Sequence, residues 1–412
     1  MALLAFGVGF IYFFFRLIGG DSIIFRWWCV AWCLPALISV PIDVATFDGF
    51  NNGFIFILLA TTLLGAGSLI GVAGVSKANH VRTAPAPESG IRACLWVSVG
   101  LSWVSVQLLM LDLGTSFKVF FSIEELISNA VAASVARYHE DFNPAFRTRI
   151  MLCFLYLSGF LAGWLLAQSR NAWRFFEALV AFLPALAWMV LLTTKASVLF
   201  WLVFAAAGFL SFASDGVIKR SLGLLIAMPI MLALLGGLLF WTQLSRYGGD
   251  MAEAKYVYSN FLVSAVGHVF AFREWFEREA SWLPTAFGTA SFAGVAEVMG
   301  GAVRKAGLYG YADIYVGDAS TNVYSALRPL IEDIGILLAL VVFGLLGFVG
   351  AKFEQRATLV SRALLASLLA WVLWSPITSV YNYNSIIFAC FLLVAIAMMF
   401  AARIGDRRVG QS

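Results

Sequence analysis

Charged side chains are scarce in this sequence. They make up 12% of its 412 residues, whereas hydrophobic residues make up 61% and the mean hydropathy is +0.89. Soluble domains carry about 25% charged and about 45–50% apolar residues, so this composition excludes a water-soluble globular protein. A membrane-spanning helix needs about 20 apolar residues, which leaves room for about a dozen helices. We therefore predict a single integral membrane domain over residues 1–412.

Histidine, cysteine and long basic runs are also sparse. The three histidines lie singly, and the five cysteines lie in or beside apolar stretches without a C-x-x-C pair, which argues against a metal centre and a disulfide framework. The net charge of +4 comes with no basic run, so nucleic acid is not an expected partner. We expect no metal and no cofactor. No basic segment precedes the apolar run at residues 1–15, which we interpret as a first span and not as a cleaved signal.

Eleven apolar runs are long enough to span a membrane as helices. They lie at about 2–18, 27–47, 53–75, 93–113, 150–168, 175–193, 196–214, 221–241, 331–350, 363–381 and 386–402. The predicted fold class is therefore all-α, a polytopic transmembrane bundle of about 11 spans.

Basic residues gather in alternate connectors between these runs. One set of connectors, together with the C-terminal tail, carries fifteen of them: Arg16, Arg26, Lys77, Arg82, Arg92, Arg170, Arg174, Lys219, Arg220, Lys352, Arg356, Arg362, Arg403, Arg407 and Arg408. The short connectors of the opposite set carry a single one, Lys195. Because basic loops favour the cytoplasmic side, the pattern predicts an outer N-terminus and a cytoplasmic C-terminus.

Two connectors on the predicted outer side are long, about 114–149 and 242–330. Apolar residues repeat at helical spacing in both: Ile123, Leu126, Ile127, Val131 and Val135 in the first, and Leu262, Val266, Val269, Phe272 and Phe276 in the second. Each stripe predicts a short interfacial helix on the outer membrane face. The second connector is the one large enough to form a catalytic or recognition region.

Twelve basic residues lie on this outer side, where the positive-inside rule disfavours them. Long loops escape that rule, so an ordinary solvated surface is one explanation. Lys195, Arg246 and Arg328 lie at predicted membrane boundaries, where they could bind a lipid-linked phosphate or diphosphate and stabilise a departing pyrophosphate without a metal. Snorkelling of each side chain towards the lipid headgroups is the alternative.

A glycosyl transfer from such a donor would also need a base near the acceptor hydroxyl. His268, which titrates near neutral pH, and Asp250 are candidates, and Glu253, Asp318 and Asp333 are further carboxylates. A lone loop histidine is more often structural, and that is the alternative for His268. Asp333 stands at the outer end of a predicted span, where a carboxylate can instead cap the helix.

The end of the large connector carries a recognisable segment. It runs from Asn322-Val323-Tyr324-Ser325 through Arg328-Pro329 to Asp333-Ile334-Gly335 and leads into a glycine-punctuated span. This segment resembles a signature of the Wzy-type O-antigen polymerases, the bacterial oligosaccharide repeat-unit polymerases, in which an Asn-Val-Tyr-Thr-like stretch precedes an Asp-Phe-Gly-like helix entry. Ser325 stands in place of the usual threonine, and Ile334 in place of the usual aromatic residue.

Three other places look like family features: Phe287-Gly288-Thr289, Arg246-Tyr247 and the turn at residues 193–195. The family often has arginine in that turn, so Lys195 is a conservative departure that puts a bidentate contact there in question.

The resemblance implies a metal-independent membrane glycosyltransferase of the C type at the periplasmic face of the bacterial inner membrane. Such a polymerase transfers an undecaprenyl-diphosphate-linked glycan to the non-reducing end of another lipid-linked repeat unit and releases undecaprenyl diphosphate. The two long connectors would then be periplasmic loops. Besides this substrate and membrane lipids, a chain-length regulator of polysaccharide synthesis is a candidate partner.

The resemblance also suggests roles for individual residues, which we treat as hypotheses. We assign His268, Asp250 and Arg328 to catalysis, Arg246, Lys195 and Arg273 to the diphosphate, and Asn322, Tyr324 and Asp333 to the substrate.

Three alternatives stay open. An O-antigen ligase would use the same donor and a similar topology with a lipid A core acceptor. A precursor flippase or other transporter would place ionisable residues around a cavity at the membrane midplane, whereas nearly every charge here lies at a span end or in a connector. A non-catalytic membrane scaffold is the third alternative. Between the polymerase and the ligase, residues 322–335 favour the polymerase.

Overall fold

The structure, a computed structural model, describes most of the chain. The described residues are 1–38, 51–73, 86–139, 144–168, 172–213, 236–237, 239–247, 250–300, 314–316, 319–321, 325–356 and 358–409. They are almost entirely helical, as the composition predicts. One short antiparallel hairpin pairs β1 (Ile314–Val316) with β2 (Ala319–Thr321).

Besides a helical stretch at residues 239–244, the described ranges contain thirteen α-helices. They are α1 (Ala2–Leu17), α2 (Ile23–Ile38), α3 (Asn52–Val72), α4 (Glu88–Leu113), α5 (Ile123–His139), α6 (Phe146–Gln168), α7 (Ala172–Leu192), α8 (Ala196–Phe212), α9 (Ala254–Glu279), α10 (Ala293–Val298), α11 (Leu327–Arg356), α12 (Leu359–Trp374) and α13 (Asn384–Val409). Short 3-10 turns occur at Phe117–Phe120, Ser245–Tyr247, Met251–Glu253 and Val380–Asn382.

Within the described residues, six helices are long and apolar enough to cross a membrane: α3, α4, α6, α7, α11 and Asn384–Ile404 of α13. The apolar helices α1, α2, α8 and α12 are shorter. These helices support the predicted multi-pass membrane protein. The number of eleven spans stays a prediction, because the run at 221–241 lies mostly outside the described residues.

The chain divides into two compact units. The first contains Met1–Thr83 and Ser259–Tyr383, and the second contains Ala84–Tyr258 and Asn384–Ser412. In the first unit α3 and α11 make the most extensive helix contact, and in the second unit α6 packs against α4, α8 and α13.

Glycines permit the close contact between α3 and α11. A Cβ atom added at Gly67 would overlap the carbonyl oxygen of Gly344, and one added at Gly347 would overlap that of Leu64. Small residues let helix backbones approach in membranes, where apolar burial alone does not drive helices together. Ser68 lies at the same crossing, and its hydroxyl is 2.8 Å from that of Ser22. A hydrogen bond between two serine hydroxyls adds a directional contact to this packing.

A buried ion-pair group joins α4 to α7 in the second unit. The carboxylate of Glu177 is buried and lies 2.6 Å from both the Arg92 and the Arg174 guanidinium groups. Arg174 also contacts Glu88 at the start of α4. Two arginines around one buried carboxylate satisfy its charge, so this group fixes the ends of two helices and is not a proton relay.

The two predicted interfacial helices differ from expectation. The first exists as α5, and Ser122 Oγ accepts from the backbone N–H of Glu125 at 3.3 Å. Its inward side, however, contains Ala130 and Ala133, while Val131 is exposed. The face that packs is thus set by small residues that approach their neighbours closely, and not by the apolar stripe.

The second predicted interfacial helix is longer than expected, and its interfacial placement stays a prediction. It is the 26-residue α9, and residues 266–272 of that helix are buried on every side. Gly267 and Ala271 occupy positions outside the apolar stripe, and their small size allows neighbouring groups to cover that face as well. The middle of α9 is therefore packed on every side, whereas both of its ends carry exposed residues such as Tyr256 and Arg278.

Candidate functional site

A strained turn joins α7 to α8 in the second unit. Thr193 is buried and has a φ of 53°, in the left-handed region that β-branched residues avoid. Such a conformation costs about 1–3 kcal/mol and persists only where surrounding contacts hold it in place. The turn is therefore a candidate functional feature, and its contacts show what holds it.

Arg246 is the principal contact of this turn. It lies in the 3-10 turn Ser245–Tyr247, and its Nε donates to Thr193 Oγ1 at 3.0 Å while its terminal nitrogen donates to the Thr193 carbonyl oxygen. Gln243 Nε2 donates to the same carbonyl at 3.3 Å. The arginine thus orients the turn, and the turn in return fixes the guanidinium.

Lys195 brings a second cation to this place. It is the residue before α8, and its carbonyl accepts from the Leu199 N–H at 3.1 Å as the helix begins. Burial, with the nearby positive charge of Arg246, lowers the pKa of the Lys195 ammonium from 10.5 to about 8. The two positive charges repel each other in a site that is partly shielded from water. An anion bound in this site would be attracted to both side chains.

Helix α5 packs over this region. It contacts both α7 and the 3-10 turn that carries Arg246. Asn129 Nδ2 donates to the Leu191 carbonyl oxygen at 3.0 Å, two residues before the strained turn. The first long connector therefore supports the same place that Lys195 and Arg246 define. We call Thr193, Lys195 and Arg246 the cation turn.

Anion binding at the cation turn should depend on pH. We expect a soluble prenyl diphosphate to bind the purified protein about tenfold more weakly at pH 9 than at pH 7, because Lys195 loses its proton as the pH rises through about 8. Isothermal titration calorimetry would measure this.

The Lys195→Arg variant is the matched control for that measurement, because arginine keeps its charge across the same range. Its affinity should change little between pH 7 and pH 9, apart from the ionisation of the ligand itself. If wild type and variant showed the same pH profile, Lys195 would not contact the anion.

Arg328 and Arg273 lie in the first unit, and each pairs with carboxylates. Arg328 Nε donates to Glu332 at 2.7 Å, and the guanidinium lies 5.1 Å from the centre of the Trp275 ring. Arg273 lies 2.8 Å from the carboxylate of Glu274. Both side chains are mostly buried, so a phosphate would have to displace a carboxylate in order to bind either arginine.

The two candidate bases occupy different surroundings. His268 lies in α9 of the first unit with 1% of its surface exposed. Asp250 lies in the second unit, is exposed, and accepts from the Ala252 N–H at 2.8 Å, which caps the 3-10 turn Met251–Glu253. Asp250 is thus the more accessible of the two.

Asp333 holds a loop in the first unit. One of its carboxylate oxygens accepts from the N–H groups of Gly288 at 2.8 Å and Ala290 at 3.0 Å, and the other accepts from Ser291 at 2.6 Å. The amide of Asn382, in the orientation that satisfies both of its ends, donates to the carbonyls of the same loop. The predicted substrate residues Asn322 and Tyr324 lie outside the described residues.

Replacing Asp333 should release this loop. We expect Asp333→Asn to lower the free energy of unfolding by about 2–3 kcal/mol, because an amide presents one acceptor and turns an N–H₂ group towards backbone donors. Thermal unfolding in detergent would measure the loss, and hydrogen exchange would locate it to residues 285–292. Asp250→Asn is the control, since it affects a single exposed cap; equal losses in the two variants would contradict the assigned role.

Some of these contacts could have been found in the sequence. Arg328 and Glu332 have the i, i+4 spacing of a helical ion pair, which is a readable signal. No local sequence pattern indicates that Thr193 contacts Arg246 or that Asn382 contacts residues 290–291. The two partners of each contact lie far apart in the sequence.

The chain matches no protein-family profile, no curated protein and no solved structure. In the part of the chain that the structure describes, no three His, Cys, Asp or Glu side chains are grouped so that they could hold a metal ion. The functional argument therefore starts from the cation turn.

Proposed function

We propose that this chain is a Wzy-type polymerase that joins undecaprenyl-diphosphate-linked oligosaccharide repeat units at the periplasmic face of the bacterial inner membrane. The observation that carries the proposal is the cation turn, where Arg246 contacts a strained threonine and its charge acts on Lys195. An anion between two such cations relieves their repulsion. Apolar helices on both sides of the turn suit an anion that is attached to a lipid.

The diphosphate is assigned to Lys195 and Arg246 ahead of Arg273 and Arg328. The latter two lie within hydrogen-bonding distance of carboxylates, which a phosphate would have to displace. Their pairing suits a structural role in the first unit. At the cation turn, burial and the positive charge of Arg246 lower the pKa of Lys195, so a diphosphate placed there would be attracted to both side chains.

The proposed reaction is a displacement at the donor sugar. An acceptor hydroxyl oxygen forms a bond to the anomeric carbon, and the bond from that carbon to the diphosphate oxygen breaks. The electron pair leaves with undecaprenyl diphosphate, whose growing negative charge Lys195 and Arg246 stabilise. The hydroxyl proton passes to a base, for which the exposed Asp250 of the same unit is our candidate.

The topology belongs to the same proposal. Eleven spans are counted from the apolar runs, and the placement of fifteen basic residues in alternate connectors orients them with an outer N-terminus and a cytoplasmic C-terminus. Lys195 is then the single basic residue of the short outer connectors, at the level of the lipid headgroups. That is where the diphosphate of a lipid-linked glycan lies.

A deletion strain tests the proposal in cells. A polymerase mutant should display lipopolysaccharide or capsule precursors with a single repeat unit, and the wild-type gene should restore the ladder of longer chains. Accumulation of long lipid-linked polymer would instead indicate a ligase. Absence of both products would indicate a flippase, and normal long-chain glycan in the deletion strain would refute the polymerase.

A further inference from the structure

A break in α11 fixes the position of the segment before it. Gly335 has φ 77° and ψ 166°, so the helical path is interrupted there. The N–H of Ile336 donates to the Ser281 carbonyl at 3.3 Å, and a Cβ atom at Gly335 would overlap the carbonyl oxygen of Trp282. The long apolar part of α11 begins at Ile336, so the segment at residues 281–299 lies at the level where this helix enters the membrane.

The backbone of this segment makes its hydrogen bonds within the protein. The N–H groups that donate to protein acceptors include those of Leu283, Thr285, Ala286, Gly288, Thr289, Ala290, Ser291, Phe292, Ala296 and Met299. The acceptors include the carbonyl of Glu332 and the carboxylate of Asp333. A loop in water has no need of such partners, whereas irregular backbone in contact with lipid requires them.

Most exposed side chains of the same segment are apolar, and the two exposed threonines, Thr285 and Thr289, each donate a hydroxyl hydrogen bond to a backbone carbonyl, at 3.2 Å and 2.6 Å. Glu297 is the single charged residue between positions 280 and 300. The large exposed side chains are those of Trp282, Leu283, Phe287, Phe292, Val298 and Met299. A loop with such a surface would be poorly solvated by water.

Phe287 is held outward at a conformational cost. Its φ of 47° lies in the left-handed region, and 78% of its surface is exposed. Hydrogen bonds on both sides, at Ala286 and Gly288, hold the backbone in this conformation. Strain that presents an aromatic ring outward points to a contact outside the chain.

The exposed apolar surface continues along α11. Leu337, Leu338, Val341 and Leu345 are all exposed on this membrane-spanning candidate. Exposed apolar side chains are thus found both on α11 and on residues 281–299, which are hydrogen-bonded to α11 near Gly335. Lipid acyl chains are the occupant that fits both parts.

We propose that residues 281–299 insert into the bilayer leaflet that holds the N-terminal end of the apolar part of α11, where their exposed side chains contact lipid acyl chains. Phe287 and Leu283 are the deepest contacts of this anchor. The proposal does not depend on the glycosyltransferase reaction, so either can fail without the other.

Two native methionines allow a test on the wild-type chain. Met299 and Met251 are 81% and 68% exposed, so in water they should be oxidised at similar rates. In nanodiscs of phosphatidylethanolamine and phosphatidylglycerol, hydroxyl-radical footprinting should oxidise Met299 roughly tenfold more slowly than Met251, because acyl chains exclude water. Similar rates for the two methionines would overturn the proposal.

Spin labels separate lipid from protein as the cause of that protection. A nitroxide at Phe287→Cys or Leu283→Cys, in a chain whose five native cysteines are replaced, should collide readily with oxygen and rarely with a water-soluble nickel complex. A label at Met251→Cys should show the reverse. Low collision with both reagents at position 287 would mean a protein cover and would refute lipid insertion, as would frequent collision with nickel.

Discussion

The Arg246→Ala variant is expected to stop glycan chain extension, with a fall of at least about 100-fold in the rate, since one charge-stabilising donor commonly contributes that much. The substitution removes a cation from the proposed diphosphate site. It also removes the hydrogen bonds to Thr193, so the strained turn loses its main support. A glycan gel of the complemented deletion strain, with the amount of protein in the membrane measured alongside, gives the result.

A second variant of Arg246 separates the effect of its charge from that of its geometry, and a variant of another arginine is the control. Arg246→Lys keeps the charge but cannot reach both Thr193 oxygens with one planar group, so we expect intermediate chain lengths. Arg278→Ala is the matched control, because that arginine has a side chain that is 72% exposed and a salt bridge of 3.3 Å to Glu274. It should leave the ladder unchanged. A normal ladder from Arg246→Ala would remove the cation turn from the mechanism.

The second large effect is expected from Gly67→Val, which should prevent most of the protein from folding. A valine there would place its Cβ on the carbonyl oxygen of Gly344, and backbone cannot move aside as a flexible side chain can. Overpacking usually costs about 1–3 kcal/mol because side chains move aside, and it costs more where fixed backbone blocks the added atoms. Here we expect a cost comparable with the about 5–15 kcal/mol that stabilises a typical protein. The folded fraction can be measured as monodisperse protein in size-exclusion chromatography after detergent extraction.

Gly9→Val is the matched control in the same compact unit. Gly9 also lies in an apolar helix, but an added Cβ would meet nothing within 4 Å. That variant should fold as well as wild type, since valine is a slightly better helix former than glycine. Equal loss in both variants would mean that valine disturbs insertion in general and that the α3–α11 contact is not the cause.

The helical architecture could be predicted because apolar runs are a strong local signal. Ten of the eleven runs overlap helices in the described residues. Local patterns do not reveal which face of a helix packs. The stripe on α9 predicted one buried face, but Gly267 and Ala271 allow burial on the others as well.

The candidate site could be predicted only in part. Lys195 and Arg246 were selected because both lie at span ends, and the structure brings their charges into interaction. The sequence gives no sign of the strain at Thr193, since a left-handed conformation is not encoded by a threonine. Nor does it show that Asp333 is engaged by three backbone donors, because those donors lie more than forty residues away.

Reconstitution tests the central claim most directly. The purified chain in nanodiscs would receive the lipid-linked repeat units that accumulate in the deletion strain, and products would be separated by size while released undecaprenyl diphosphate is measured. The account predicts a ladder of two or more repeat units, one undecaprenyl diphosphate released for each new bond, and neither product with Arg246→Ala. Repeat units that remain single, in a preparation that is folded and binds the lipid-linked substrate, would contradict the polymerase.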